Sequence, residues 1–123
     1  MPGPGPPPKQ RPLGHRRHRT VEPLQHDGHL RGPELPSEAP DGEQWHPMTR
    51  EWWSTWRGSA QAQLFCDLDW MQLLDTAAIH HLLWARGRPE LAPEVRLRTA
   101  KFGETPVDRL RLRISVDGEE YPS

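Results

Sequence analysis

Cysteine, tyrosine and phenylalanine are nearly missing from these 123 residues: one, one and two copies respectively. The lone thiol, Cys66, excludes an internal disulfide and fits a reducing compartment. No apolar run reaches membrane-spanning length, and the N-terminus has no apolar leader segment, so a soluble intracellular protein without a membrane partner is expected. There is no P-loop and no dinucleotide-type glycine pattern. Asp67, Asp69 and Asp75 read as capping and helix-surface carboxylates rather than an acid/base pair, and Cys66, lacking an activating base, reads as a buried thiol. No catalytic residue and no cofactor is therefore expected. Apolar residues make up only 33%, which leaves material for one small domain and a part that does not fold. A folded unit of about 70 residues would be marginal alone and would gain from oligomerisation.

What is abundant is proline, with 15 copies, most of them before Trp52. Residues 1–44 ("PGPGPPPKQRP", "HRRHR", "RGPELPSEAPDGE") lack apolar periodicity and are expected to form a disordered basic, proline-rich arm. Residues 45–116 are expected to form a helical domain, and 117–123 an acidic tail. The net charge of −1 conceals segregation of sign. Lys9, Arg11, Arg16, Arg17 and Arg19 precede any acid, and Arg96, Arg98, Lys101, Arg109, Arg111 and Arg113 form a second basic run.

The pattern predicts an all-α fold of three or four helices. Thr49 is a plausible N-cap for a short helix in which Trp52 and Trp56 share one face, and Gly58 ends it. Four of the six tryptophans lie between 45 and 56, a cluster that reads as core. "DLDWMQLLDTAAIHHLLWARG" is the clearest helix, with Asp67 as its candidate cap and a narrow polar stripe of Asp69, Gln72, Thr76 and His80. Met71, Leu74 and Leu82 line one side and Trp70 broadens it, so almost the whole circumference is apolar. A domain this small has too few other elements to cover such a helix, which points to a subunit interface. "PELAPEVRLRTAKFG" reads as a third helix that starts or kinks at Pro93, with its arginines and Lys101 off the apolar face.

"KFGETPVDRLRLRISV" carries two instructions. Arg109, Arg111 and Arg113 alternate with Leu110, Leu112 and Ile114 at strand period, yet Gly103, Thr105, Pro106 and Asp108 are helix-boundary signals. The caps favour a helix from 106 to about 113, since an isolated strand lacks a pairing partner.

The spacing of His15 with His18 and of His26 with His29 is compatible with zinc, but the neighbouring arginines repel a dication and no cysteine reinforces the set, so no metal is expected. The two basic runs favour nucleic acid: a flexible arm would track phosphates by counterion release, and helix-borne arginines would pair with phosphate oxygens.

The arm, "RGPELP", "WHPMTREWW", "DLDWMQLLDTAAIHHLLW" and above all the ending "EVRLRTAKFGETPVDRLRLRI" resemble the small terminase subunits of tailed bacteriophages, especially those infecting actinobacteria. The resemblance implies a non-catalytic homo-oligomer, ring-shaped, in the host cytoplasm. Such a subunit engages double-stranded viral DNA and delivers it to the large terminase subunit, which holds the ATPase and nuclease. No clear helix-turn-helix is present, a departure from some members. A proline-rich interaction adaptor and a phage or bacterial DNA-binding regulator are the alternatives.

Overall fold

A computed structural model of the chain describes residues 20–120. The fold is mostly helical. Helix α1 spans Pro47–Arg57, α2 Asp67–Ala85, α3 Ala92–Thr99 and α4 Pro106–Leu112, with 3-10 turns at Ala60–Leu64, Pro89–Leu91 and Ala100–Phe102. Two short strands, β1 (Glu22–Leu24) and β2 (Ile114–Val116), pair in parallel, Glu22 opposite Ile114 and Leu24 opposite Val116. Among the described residues no helix is long and apolar enough to cross a membrane.

The helix boundaries follow local chemistry. His46, not Thr49, caps α1: its side chain accepts the Met48 amide at 3.1 Å, and Pro47 takes the first position. Thr49 is fully buried inside the first turn. Cys66, one residue before the expected Asp67, caps α2, and the Asp69 carboxylate accepts the Cys66 amide at 3.0 Å. Cys66 is exposed rather than buried. Pro93 falls in the first turn of α3, where its missing N–H costs nothing. Thr105 caps α4 as expected, and Asp108 answers it in a reciprocal box, at 3.2 and 3.1 Å.

Indoles and phenyl rings build the core. Trp45, Trp53, Trp56, Trp70 and Phe102 are buried with Leu73, Ala39, Ala62 and Ala77. Trp53 meets Trp70 edge-on at 5.6 Å, and Phe65 meets Trp70 and Phe102 at 5.2 and 5.5 Å. Of the predicted core or interface set, Trp56 and Trp70 are buried, Trp52, Leu74 and Leu82 are half-buried, and Met71 is exposed.

Two expectations need correction. Residues 20–44, assigned to the disordered arm, are packed onto the helices. Their apolar content is low, but indoles reach out to hold them. Trp45 donates to the Pro36 carbonyl at 2.8 Å, Trp53 to the Pro33 carbonyl at 2.9 Å, and the Arg57 guanidinium to the Arg31 and Gly32 carbonyls. Buried polar backbone that finds such donors needs no periodic apolar face. Residues 1–19 of that arm lie outside the described residues.

The tail likewise begins inside the fold, with Asp117 and Glu119 both hydrogen-bonded. Within "KFGETPVDRLRLRISV" both instructions hold in succession. The helix runs to Leu112, Arg113 turns the chain at φ 62°, and Ile114–Val116 form the strand. Its partner is β1, in the segment expected to be disordered. Periodicity cannot reveal a pairing across ninety residues of chain.

The second correction concerns the rotation of α2. Thr76 and His80, placed on the polar stripe, are buried, as is His81, while Leu68 and Met71 face solvent. The helix is apolar nearly all round, so its period could not select the inward face. Partners decided it: the Thr49 hydroxyl for His80 Nδ1 at 2.8 Å, and for His81 the Asp41 carboxylate at 3.1 Å and the His46 amide at 3.0 Å.

Candidate nucleic-acid interface

The C-terminal basic run lies on α3, the 3-10 turn after it, α4 and the turn into β2. Its six cations divide into two kinds. Arg96 pairs with the buried Asp108 at 2.9 Å and lies 3.8 Å from Glu104. Burial pushes the Asp108 carboxyl up, but hydrogen bonds from Arg96 and Thr105 outweigh it and hold the group below its ordinary value. Arg109 is largely enclosed: it donates to both oxygens of Glu119 (2.7 and 3.1 Å) and to the carbonyls of Gly103 and Glu104. The Arg109 hydrogen bonds lead the causes that keep Glu119 ionised below the usual range. Arg98 pairs with Glu94 one turn before it at 2.7 Å. Arg96 and Arg109 thus tie separate elements together, while Arg98 is held on its own helix.

Lys101, Arg111 and Arg113 are exposed and have no ion-pair partner among the described residues. Lys101, Asp69 and Leu112 line one hollow of about 210 Å³ with Phe65, Phe102 and Ile114, and Arg111 and Arg113 flank Leu112 in sequence. The arm cations Lys9, Arg11, Arg16, Arg17 and Arg19 lie outside the described residues.

The histidine pairs do not assemble. His26 pairs with Asp117, His29 with Asp27, and His15 and His18 lie outside the described residues. Among the described residues no group of three or more His, Cys, Asp or Glu side chains is arranged to hold a metal ion.

Sequence reasoning missed a second feature, a cleft of about 330 Å³ between α1 and α2. Trp52, Trp56 and Trp84 line it with His80, and Glu51 and Glu104 are its two carboxylates among the described residues. The i, i+4 spacing of Trp52 and Trp56, and of His80 and Trp84, was visible in the sequence, but not that the two pairs share a cleft.

Neither the curated proteins nor the solved structures contain a match to this chain. A family model described as phage terminase small subunit does match, over residues 3–122, and with nearly every residue included the chain belongs to that family.

Proposed function

We propose that the chain is the non-catalytic, DNA-engaging subunit of a phage packaging motor. In this reading it is a homo-oligomer, ring-shaped, acting in the host cytoplasm, that gathers double-stranded viral DNA and passes it to the large terminase subunit. Membership of the phage terminase small subunit family supports a role in genome packaging. The observation that carries the DNA reading is the division among the arginines. Lys101, Arg111 and Arg113 stand exposed without acidic partners, whereas Arg96, Arg98 and Arg109 are committed to carboxylates. The first three, with the five arm cations, are left for phosphate.

Salt-dependent DNA binding tests this. Replacing Lys101, Arg111 and Arg113 together by Ala should weaken binding across sequences and lower the log–log salt slope by about 2–3, at about 0.9 per phosphate contact. Replacing Arg16, Arg17 and Arg19 should act in the same direction. Arg98→Ala should leave the slope unchanged. DNA binding indifferent to salt, or unmoved by both triple substitutions, would remove the mechanism.

A further inference from the structure

The Trp52–Trp56–Trp84 cleft has no part in the DNA reading, and its chemistry is of another kind. Trp84 is 45% exposed and Met48 40%, so apolar surface faces water there. Trp52 stacks on His80 at 4.9 Å and 24°, making one flat aromatic wall. Burial, and then the neighbouring His46 and His81, push the His80 pKa down to about 4, so near neutral pH this wall carries no charge. Among the described residues no lysine or arginine lines the cleft. The Glu51 carboxylate has no partner among the described residues, while Glu104 accepts the Thr99 hydroxyl at 2.6 Å and lies 3.8 Å from Arg96. An aromatic slot with acid on its rim selects a ligand that is flat or ring-bearing along one side and cationic beside it. At about 330 Å³ it is at the small end of ligand pockets and takes a few side chains, not a packed helix.

The chain itself contains such a ligand. Residues 2–12, "PGPGPPPKQRP", combine six prolines with Lys9 and Arg11 and have no acid. Proline-rich sequence favours the extended polyproline conformation, whose rings dock against aromatic-lined grooves at low ordering cost. The attachment point is also favourable. Glu22 pairs with Ile114, and the Ile114 and Gln61 side chains, with that of Arg109, stand together against Gly103. Gln61 and Glu104 are themselves cleft residues. Nineteen residues precede Thr20, a length of on the order of 60 Å if fully extended, which is enough to span from β1 to the cleft.

We propose that the tryptophan cleft is the docking site for the proline-rich segment 2–12 of the same chain, prolines against Trp52 and Trp84 and Lys9 and Arg11 toward Glu51 and Glu104. The test uses the full chain with Cys66→Ser and Gly5→Cys, carrying a nitroxide spin label at position 5, and reads the indole N–H signals of the 15N-labelled protein. Docking in the same chain broadens Trp52 and Trp84 most strongly, with the effect falling off for the indoles farther from the cleft. Glu51→Lys, or Lys9→Glu with Arg11→Glu, should abolish most of that broadening. Uniformly weak broadening of all indoles would overturn the proposal. So would broadening of Trp52 and Trp84 when 15N-labelled untagged chains are mixed with unlabelled tagged chains, because the occupant would then come from a neighbouring copy. The measurement contains no DNA, so its outcome is independent of the packaging reading.

Discussion

Gly32 lies flat beneath the Trp70 indole with φ +72°, and a methyl group placed there would stand 2.3 Å from a ring carbon. Both the left-handed backbone and the missing Cβ are required. Gly32→Ala should therefore destabilise the chain by about 2–4 kcal/mol, combining an overpacked ring with an unfavourable φ. Urea unfolding of the two proteins checks this, and equal midpoints would contradict it. His80 makes the second prediction at this scale. Its folded pKa, about 4, lies below the ordinary 6.5. Above 6.5 the imidazole is neutral in both states and pH has no effect through it. Between 6.5 and 4 the unfolded chain binds a proton that the folded chain refuses, so stability falls as pH falls. Denaturation midpoints from pH 7.5 to 4 should show this decline, and His80→Phe should flatten it. Below about 4, protonation of Asp108 and Glu119 adds a second loss, because their folded pKa values are lowered.

Between elements, the parallel pair of β1 and β2 is the clasp that joins the two ends of the described fold. Glu22 donates to the Arg113 carbonyl and the Asp117 amide to the Leu24 carbonyl, each at 2.8 Å, and His26 donates its amide to the Asp117 carboxylate at 2.9 Å. Beneath it Leu24, Ile114 and the fully buried Ala60 form a separate apolar cluster against Val116. Two three-residue strands are not stable by themselves, so this cluster and the flanking hydrogen bonds must hold them. Leu24→Ala should cost about 2–3 kcal/mol, the usual loss for a buried leucine near an edge. Chemical denaturation measures the cost, and hydrogen exchange at the Asp117 amide should rise in step; an unchanged exchange rate would show that the clasp does not depend on Leu24. The α4 helix was legible from Thr105, Pro106 and Asp108, since capping is local chemistry. Its strand continuation was legible only as a period without a partner.

Across the whole molecule, charges segregated in sequence are brought together in space. Asp41 meets His81 and Arg86, Asp117 meets His26, and Glu119 meets Arg109. The His26–Asp117 pair is exposed and contributes little by itself, whereas His81 and Arg109 are enclosed; together the pairs decide which cations remain unmatched. Assembly is also argued at this scale. Leu68 and Met71 are 69% and 62% exposed on α2, with Leu64 exposed just before that helix. In the proposed oligomer this strip is expected to form the contact. Leu68→Asp with Met71→Asp should lower the assembled mass in light scattering without lowering thermal stability at high dilution, whereas Leu74→Asp should lower both because Leu74 packs against the core. An unchanged mass for the double variant would place the contact elsewhere.

By itself the sequence determined the mostly helical class, the tryptophan core and the caps of α4. Each of these rests on neighbours within a few residues, where spacing and propensity act directly. Only the tertiary structure decided which side of α2 is buried, that residues 22–44 belong to the fold, which arginines brace carboxylates and which stand exposed, and that two tryptophan-bearing helices share one cleft. Those outcomes depend on partners far along the chain: Thr49 for His80, the Pro33 and Pro36 carbonyls for two indoles, Glu119 for Arg109. A hydrogen-bond partner thirty residues away leaves no period in the sequence, and burial of a polar side chain follows from the partner, not from the side chain.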